Sequence, residues 1–331
     1  MLISLVGKYD TYEYNSQNQM NSTPKKRKFS AIYRGKRKSD GAYVIIKHIK
    51  QYSAIRHNDH KVLIEQFLLG ISALHSSVVQ TYEIVQLQDE YFIVREYLQG
   101  VDAKTLICDP DYSHLQNSFF SCQVGVKMCE VLHELHMHSI IHCNIKPSNI
   151  FIECDDEGKI DVHDFSLKIV DFEMAHVHDA QLFYYKKLPF SLVYSPPEQV
   201  LHYADVIDNT SDLYCLGLVM YEIITRRPPF YSENHEMLVN FQINKELQKN
   251  SRISQDMLSF VQKATSKFKY SLPPNRYSYE QNEKFLEQGK QSRFQSAQDM
   301  KEAIEEMMVR FQEKKNKRKN TSWFSRLFKR T

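Results

Sequence analysis

Lys47 ends the apolar run Val44-Ile45-Ile46, where a cation is costly unless something partners it. The stretch His142-Cys143-Asn144-Ile145-Lys146-Pro147-Ser148-Asn149 follows a long helical pattern and precedes an apolar strand. Lys168-Ile169-Val170-Asp171-Phe172-Glu173-Met174-Ala175 comes next, then Ser195-Pro196-Pro197-Glu198 and Asp212-Leu213-Tyr214-Cys215-Leu216-Gly217. Lysines, amides and carboxylates set among apolar residues could neutralise phosphate, hold a hard cation and align a hydroxyl. Phosphoryl transfer needs those three things. The competing reading is structural, with Lys47 snorkelling from an edge strand and the loop polar groups acting as caps.

Such residues need elements to hold them. Residues 29–34 and 42–49 alternate or run apolar around the turn signal Ser39-Asp40-Gly41, and residues 78–87 and 91–97 form a second such pair. Between them, residues 55–74 read as a helix with Val62, Leu63, Phe67, Leu68 and Ile71 on a shared face. After Gly100 the pattern becomes helical, at residues 119–137, 212–225 and 296–311. Strands followed by helices predict an α+β chain with a small first lobe and a larger helical second one.

Composition narrows the classes. Of 331 residues only nine are glycine, so collagen-like and Gly/Ser-linker classes are excluded, and a glycine-rich phosphate loop has few positions to draw on. Hydrophobic residues are 42% and charged ones 25%, ordinary for a globular chain. The six cysteines form no CxxC pair, which excludes a zinc knuckle and fits buried thiols in a reducing compartment. Residues 1–8 are too short for a signal peptide, and no stretch approaches the roughly 20 apolar residues of a membrane span. The expected location is the cytoplasm.

In their order and spacing these clusters resemble the motifs of the eukaryotic-type Ser/Thr protein kinase family, over roughly residues 8–308. The resemblance implies a two-lobed α+β fold, with a β-rich lobe at 1–100 and a helical lobe at 101–308. A polar, tyrosine-containing insert lies at about 267–291, read either as a docking surface or as a loop, and a basic tail at 309–331. ATP with Mg²⁺ or Mn²⁺ would be the ligands. Lys47 would hold the α- and β-phosphates, with Glu65 on the following helix as its ion-pair partner. Asn149 and Asp171 would hold the metal. Asp164-Phe165-Ser166 is a decoy, because residues 167–170 give Asp171 the strand that should precede it. Lys146 would touch the transferred phosphate. Glu96, Tyr97 and Leu98 would form the adenine edge, and Arg95, facing the rear of the pocket, would need Glu65 or Asp171 as a partner or have to point away. Glu198 with Arg293, and Asp212 beneath the catalytic loop, would serve structure rather than chemistry.

The departures from the family pattern shape the expectation. Asn144 stands where the family has the aspartate that orients the substrate hydroxyl, and an amide cannot act as a base at neutral pH. Cys143 replaces the arginine that reads a phosphate on the activation segment. Glu173 replaces the metal-motif glycine, where its carboxylate either crowds the metal or adds a ligand. Lys25, Arg27 and Ser30 stand where three phosphate-loop glycines are expected. The run Lys25-Lys26-Arg27-Lys28 is open to three readings: phosphate attraction, a solvated loop, or a targeting patch. The expectation is a pseudokinase with weak or no phosphotransfer, acting through protein partners and keeping ATP and Mg binding or at least the fold. The alternatives are an active atypical Ser/Thr kinase and a scaffold whose tail is the functional element.

From residue 310 to 331 nine basic residues face one acid, so this segment carries +8 and the rest of the chain −5 beneath a formal net charge of +3. On a helix Trp323, Phe324, Leu327 and Phe328 share one face. That composition suits a helix lying on the anionic inner membrane surface, a partner-binding anchor, or a bland tail. No nucleic-acid partner is expected, because no recognised nucleic-acid fold accompanies the charge.

Overall fold

The computed structural model describes residues 1–20, 30–49, 58–88, 90–177 and 191–327. The chain forms two units. One joins Met1–Asp102, His138–His142 and Asn149–Pro189; the other joins Ala103–Met137, Cys143–Ser148 and Phe190–Thr331.

The first unit is built on strands β1 (Leu2–Val6), β2 (Thr11–Gln19), β3 (Ser30–Arg37), β4 (Tyr43–Ile49), β5 (Thr81–Leu87) and β6 (Glu90–Glu96). They form one antiparallel sheet in the order β1-β2-β3-β4-β6-β5. Helix α1 (Asn58–Ile71) connects β4 to β5. β4 is central, and only its first residue, Tyr43, is exposed. Alternation sends Val44 and Ile46 into a core with Leu5, Tyr12, Tyr14, Tyr33, Phe92 and Val94. Ile45 and Lys47 therefore face the other side, with Ile93 opposite Lys47 and Arg95 opposite Ile45.

Strands β3 to β6 lie close to their predicted ranges, but β1 and β2 carry no such signal. β2 is polar almost throughout, and only Tyr12 and Tyr14 are buried. Glu83 on β5 ties these strands in: its buried carboxylate accepts from Tyr12 Oη and from Lys8 N, both at 2.7 Å.

Five short strands complete this unit: β7 (Gly100–Asp102), β8 (Ile140–Ile141), β9 (Ile150–Glu153), β10 (Leu167–Ile169) and β11 (His176–Val177). β9 lies between β7 and β10, and β8 pairs with β11. Gly100 sits opposite Glu153, where any Cβ would collide with the Ile152 carbonyl. The connection between β9 and β10 is a polar hairpin, turned at Asp155 and Gly158.

The second unit is helical: α2 (Ala103–Cys108), α3 (Ser118–Met137), α4 (Pro197–Val200), α5 (Asn209–Thr225), α6 (His235–Asn244), α7 (Gln255–Ala264), α8 (Tyr279–Gln291) and α9 (Ala297–Leu327). α5 is the central element. It starts from an Asp208/Ser211 capping box and is buried from Thr210 to its end. Gly217 lets α7 approach, since a Cβ there would lie 2.8 Å from that of Ala264. Near the C-terminus of α5 the buried Glu222 accepts from Lys104 Nζ at 2.7 Å and Tyr194 Oη at 2.6 Å.

Two stretches are more ordered than their sequences suggest. The insert holds α8, capped by Ser278 and Gln281, and an aromatic cluster in which Phe268 and Phe285 stack at 4.2 Å with Tyr277 edge-on at 5.1 Å. α9 runs for 31 residues, well past the predicted end at 311. Its apolar period stops there, but Lys, Arg, Glu and Gln are good helix formers without any period. Trp323, Phe324 and Leu327 lie on this helix. Phe328 lies outside the described residues. Among the described residues no helix is long and apolar enough to cross a membrane.

Lys267 anchors the insert. Its amine donates to Tyr214 Oη at 3.0 Å and Gln242 O at 2.9 Å, and lies 4.5 Å over the Phe230 ring. Burial, then the nearby Arg293 guanidinium, pushes its pKa from 10.5 down to about 7. Between those values the unfolded chain binds a proton that the folded chain has released, so this residue's contribution to stability rises with pH. Below about 7 both states are protonated and the burial cost is constant. The stability of the wild type relative to Lys267→Met, from urea midpoints, is therefore expected to climb between pH 7 and pH 10. Parallel curves for the two proteins would contradict this.

Candidate active site

In the first unit the Lys47 amine donates to the carboxylates of both Asp171 and Glu173. β10 delivers Asp171, and its φ of +78° is a left-handed conformation that few non-glycine residues adopt. Such outliers cluster where a side chain must be aimed. Asn149 Nδ2 donates to Asp171 Oδ2 at 3.4 Å. The decoy Asp164 is exposed and outside the cluster. Burial pulls the Lys47 amine down, but Asp171 and Glu173 outweigh it and leave the pKa raised. Burial pushes the Glu173 carboxyl up, Asp171 pushes it further, and Lys47 only partly offsets them. Two acids thus share one buried ammonium.

The expected Lys47–Glu65 pair is not the one formed. The ion pairs of Lys47 go to Asp171 and Glu173, while Glu65 Oε1 accepts from Ile84 N at 3.2 Å. The reason lies in Glu173: an acid at the glycine position brings a second carboxylate within reach, so the lysine is already matched. Glu65 instead satisfies a backbone N–H at β5.

Arg95 is half-buried and its charge opposes that of Lys47. Neither predicted partner engages it, and among the described residues no carboxylate is paired with it. Glu96 Oε1 accepts from Lys168 Nζ at 2.8 Å and from Gln80 N at 2.7 Å, which fixes the start of the expected adenine edge to its neighbours. Leu98 is buried. Ser30 is the first residue of β3, opposite Ile49. Lys25 and Arg27 lie outside the described residues.

The second unit holds the catalytic-loop residues. Asp212, fully buried, accepts from Cys143 N at 2.9 Å and meets His136 Nε2 at 3.0 Å. Gln199 Nε2 donates to Cys143 O at 2.8 Å, so both backbone groups of Cys143 are pinned, and φ there is +60°. Asp212 thus ties the start of α5 to the backbone at Cys143. Asn144 is buried, and its Oδ1 accepts from Lys146 Nζ at 3.1 Å. The lysine thus faces the amide much as it would face a carboxylate, without the charge. Glu198 and Arg293 form a buried fork with arms of 2.7 and 3.0 Å.

His136, Gln199, Glu83 and Lys267 carry no signal of their roles in the sequence. Each acts through tertiary contacts between distant segments and belongs to no local motif. Glu173 stands out in the sequence as an acid at a glycine position, but its hold on Lys47 has no local signal.

A family model for the protein kinase domain matches residues 27–320. This chain belongs to the protein kinase family. Its kinase relatives include the serine/threonine-protein kinase PrkC of Bacillus subtilis, 27% identical over 58% of this chain and 28% of that protein. The serine/threonine-protein kinase cds1 of Schizosaccharomyces pombe is 31% identical over 59% of this chain and 42% of its own length. The chain spans less than half the length of either relative. The autoinhibited serine kinase domain of the giant muscle protein titin superposes with a TM-score of 0.60 at 18% identity, covering 90% of this chain and 81% of that one. The kinase fold, with a β-rich lobe and a helical lobe, is therefore established.

Kinase domains generally bind ATP and Mg²⁺. The donor types here suit the metal: Asp171 and Asn149 offer the hard carboxylate and amide oxygens that Mg²⁺ takes. Those two residues would hold it, and it would supply charge neutralisation at the phosphates. Lys47 suits phosphate less well, because Glu173 already shares its charge.

Proposed function

We propose that this kinase-family domain transfers phosphate weakly or not at all and acts by binding protein partners. The observation that carries the reading is Asn144 at the catalytic-loop aspartate position, buried and joined to Lys146. An amide cannot take the hydroxyl proton, and losing a general base commonly costs about 10²–10⁴-fold. Glu173 adds to this. It sets a side-chain anion on Lys47, the lysine that family members use for nucleotide phosphate, so Mg·ATP must compete with an internal carboxylate. Nucleotide binding is then weak, and the fold serves as a recognition surface.

A thermal-shift titration tests the nucleotide part, because a ligand bound only to the folded state raises its stability. Millimolar Mg·ATP is expected to shift the wild-type midpoint slightly and that of Glu173→Gly more. A larger shift in the wild type than in Glu173→Gly would sink this part of the reading.

One observation favours a second reading, an active atypical Ser/Thr kinase: Lys47, Asp171 and Asn149 are assembled in one cluster. Phosphoryl transfer depends mostly on positioning and electrostatics, so residual turnover would use those groups. For residues 310–331 we propose an anchor on an anionic membrane surface, supported by their charge and by Trp323, Phe324, Leu327 and Phe328. The full chain should sediment with phosphatidylserine liposomes and a chain ending at residue 309 should not.

A further inference from the structure

A cavity of about 660 Å³ opens in the second unit, where the C-terminus of α5 meets the end of α2 and the loop before α7. Arg226, Arg227 and Arg252 line it, and no acidic residue does. Among the described residues none of the three has an ion-pair partner. Their neighbours in the wall are otherwise engaged: Thr225 Oγ1 donates to Tyr221 O at 2.8 Å, and Asn250 Oδ1 accepts from Arg252 N at 2.7 Å. Arg227 and Arg252 are exposed, so a solute can reach them.

Two further observations set this place apart. Arg226 has φ +60° at the C-cap of α5. Helices usually put glycine or asparagine at such a left-handed position, and here an arginine stands there instead. Its charge also answers the negative end of the α5 dipole, which leaves Arg227 and Arg252 as the cations available to a ligand. The chain outside residues 310–331 carries −5, so three unpaired guanidinia on it form a local basic island.

We propose that this cavity binds a phosphate-bearing anion, separately from the Lys47 site. Guanidinium presents a planar fork that matches two phosphate oxygens, and charge-assisted bonds of this kind are the strong ones. The cavity has room for a phosphoryl group with a small organic substituent. The phosphate could be free or carried on a serine.

Isothermal titration of the full chain at low salt tests this, with inorganic phosphate and O-phosphoserine as probes. Saturable binding of at least one probe is expected in the wild type and in Lys47→Ala, which removes the nucleotide lysine. In Arg227→Gln/Arg252→Gln the affinity is expected to fall at least about tenfold. Both positions are exposed, so an unchanged Tm will show that this variant folds. Tighter binding of phosphoserine assigns a phosphorylated segment, and equal binding assigns free phosphate. No saturable binding of either probe, or equal affinity in the double variant, overturns the proposal.

Discussion

Arg293→Ala is expected to destabilise the protein by about 3–5 kcal/mol, the usual result of stranding one member of a buried ion pair. The Glu198 and Arg293 side chains are 0% and 1% exposed and meet through two parallel bonds. Ser211 Oγ also donates to Glu198, Arg293 Nε donates to Ser266 O at 2.8 Å, and the guanidinium lies 4.8 Å over the Tyr214 ring. Burial alone would raise the Glu198 pKa, but Arg293 reverses that and holds it below the ordinary value. Removing the arginine leaves a buried carboxylate with one hydroxyl partner. Whole domains are stable by only about 5–15 kcal/mol, so the loss should show as a large drop in urea midpoint. Replacing both residues, as Glu198→Leu/Arg293→Met, should cost less than Arg293→Ala, because no charge is stranded. If the double variant proved the less stable of the two, the desolvation account would be wrong.

The second large effect concerns chemistry. Asn144→Asp restores a group able to accept a proton, and Glu173→Gly releases Lys47 from its second carboxylate. The pair of changes is expected to raise phosphotransfer to a generic protein substrate by about 10²–10⁴-fold over wild type. Glu173→Gly alone should tighten Mg·ATP binding with little gain in turnover. Asn144→Asp alone should gain less than the pair, since Lys47 stays shared between two acids. The measurement is initial-rate transfer of labelled γ-phosphate at saturating Mg·ATP. An unchanged rate in the double variant would place the block elsewhere, for instance in the run Lys25-Lys26-Arg27-Lys28.

The parts of this molecule visible in sequence are those written locally. β4 is apolar on both faces except at Lys47 and His48, and so announces a central strand carrying a costly cation. The loop from His142 to Asn149 and the strand before Asp171 are contiguous motifs, and their order identified the family. β2 is hidden because its polar side chains mask the alternation and its tyrosines act across the sheet, while β1 is a mostly apolar run of five residues, too short to tell strand from helix. α9 between residues 312 and 322 is hidden because helix propensity without an apolar period leaves no amphipathic signature. Glu65 differs for a related reason: family spacing gives it Lys47 as a partner, but the acid at position 173 changes the charge balance around that lysine.

The most direct test of the account is phosphotransfer by the purified full chain, with Mg²⁺ and separately with Mn²⁺, beside Lys47→Ala and Asp171→Ala. The account predicts that wild-type turnover is no higher than that of the two variants, or barely so. Clear wild-type turnover that disappears in both variants would contradict it and establish an active kinase that works with an amide at position 144.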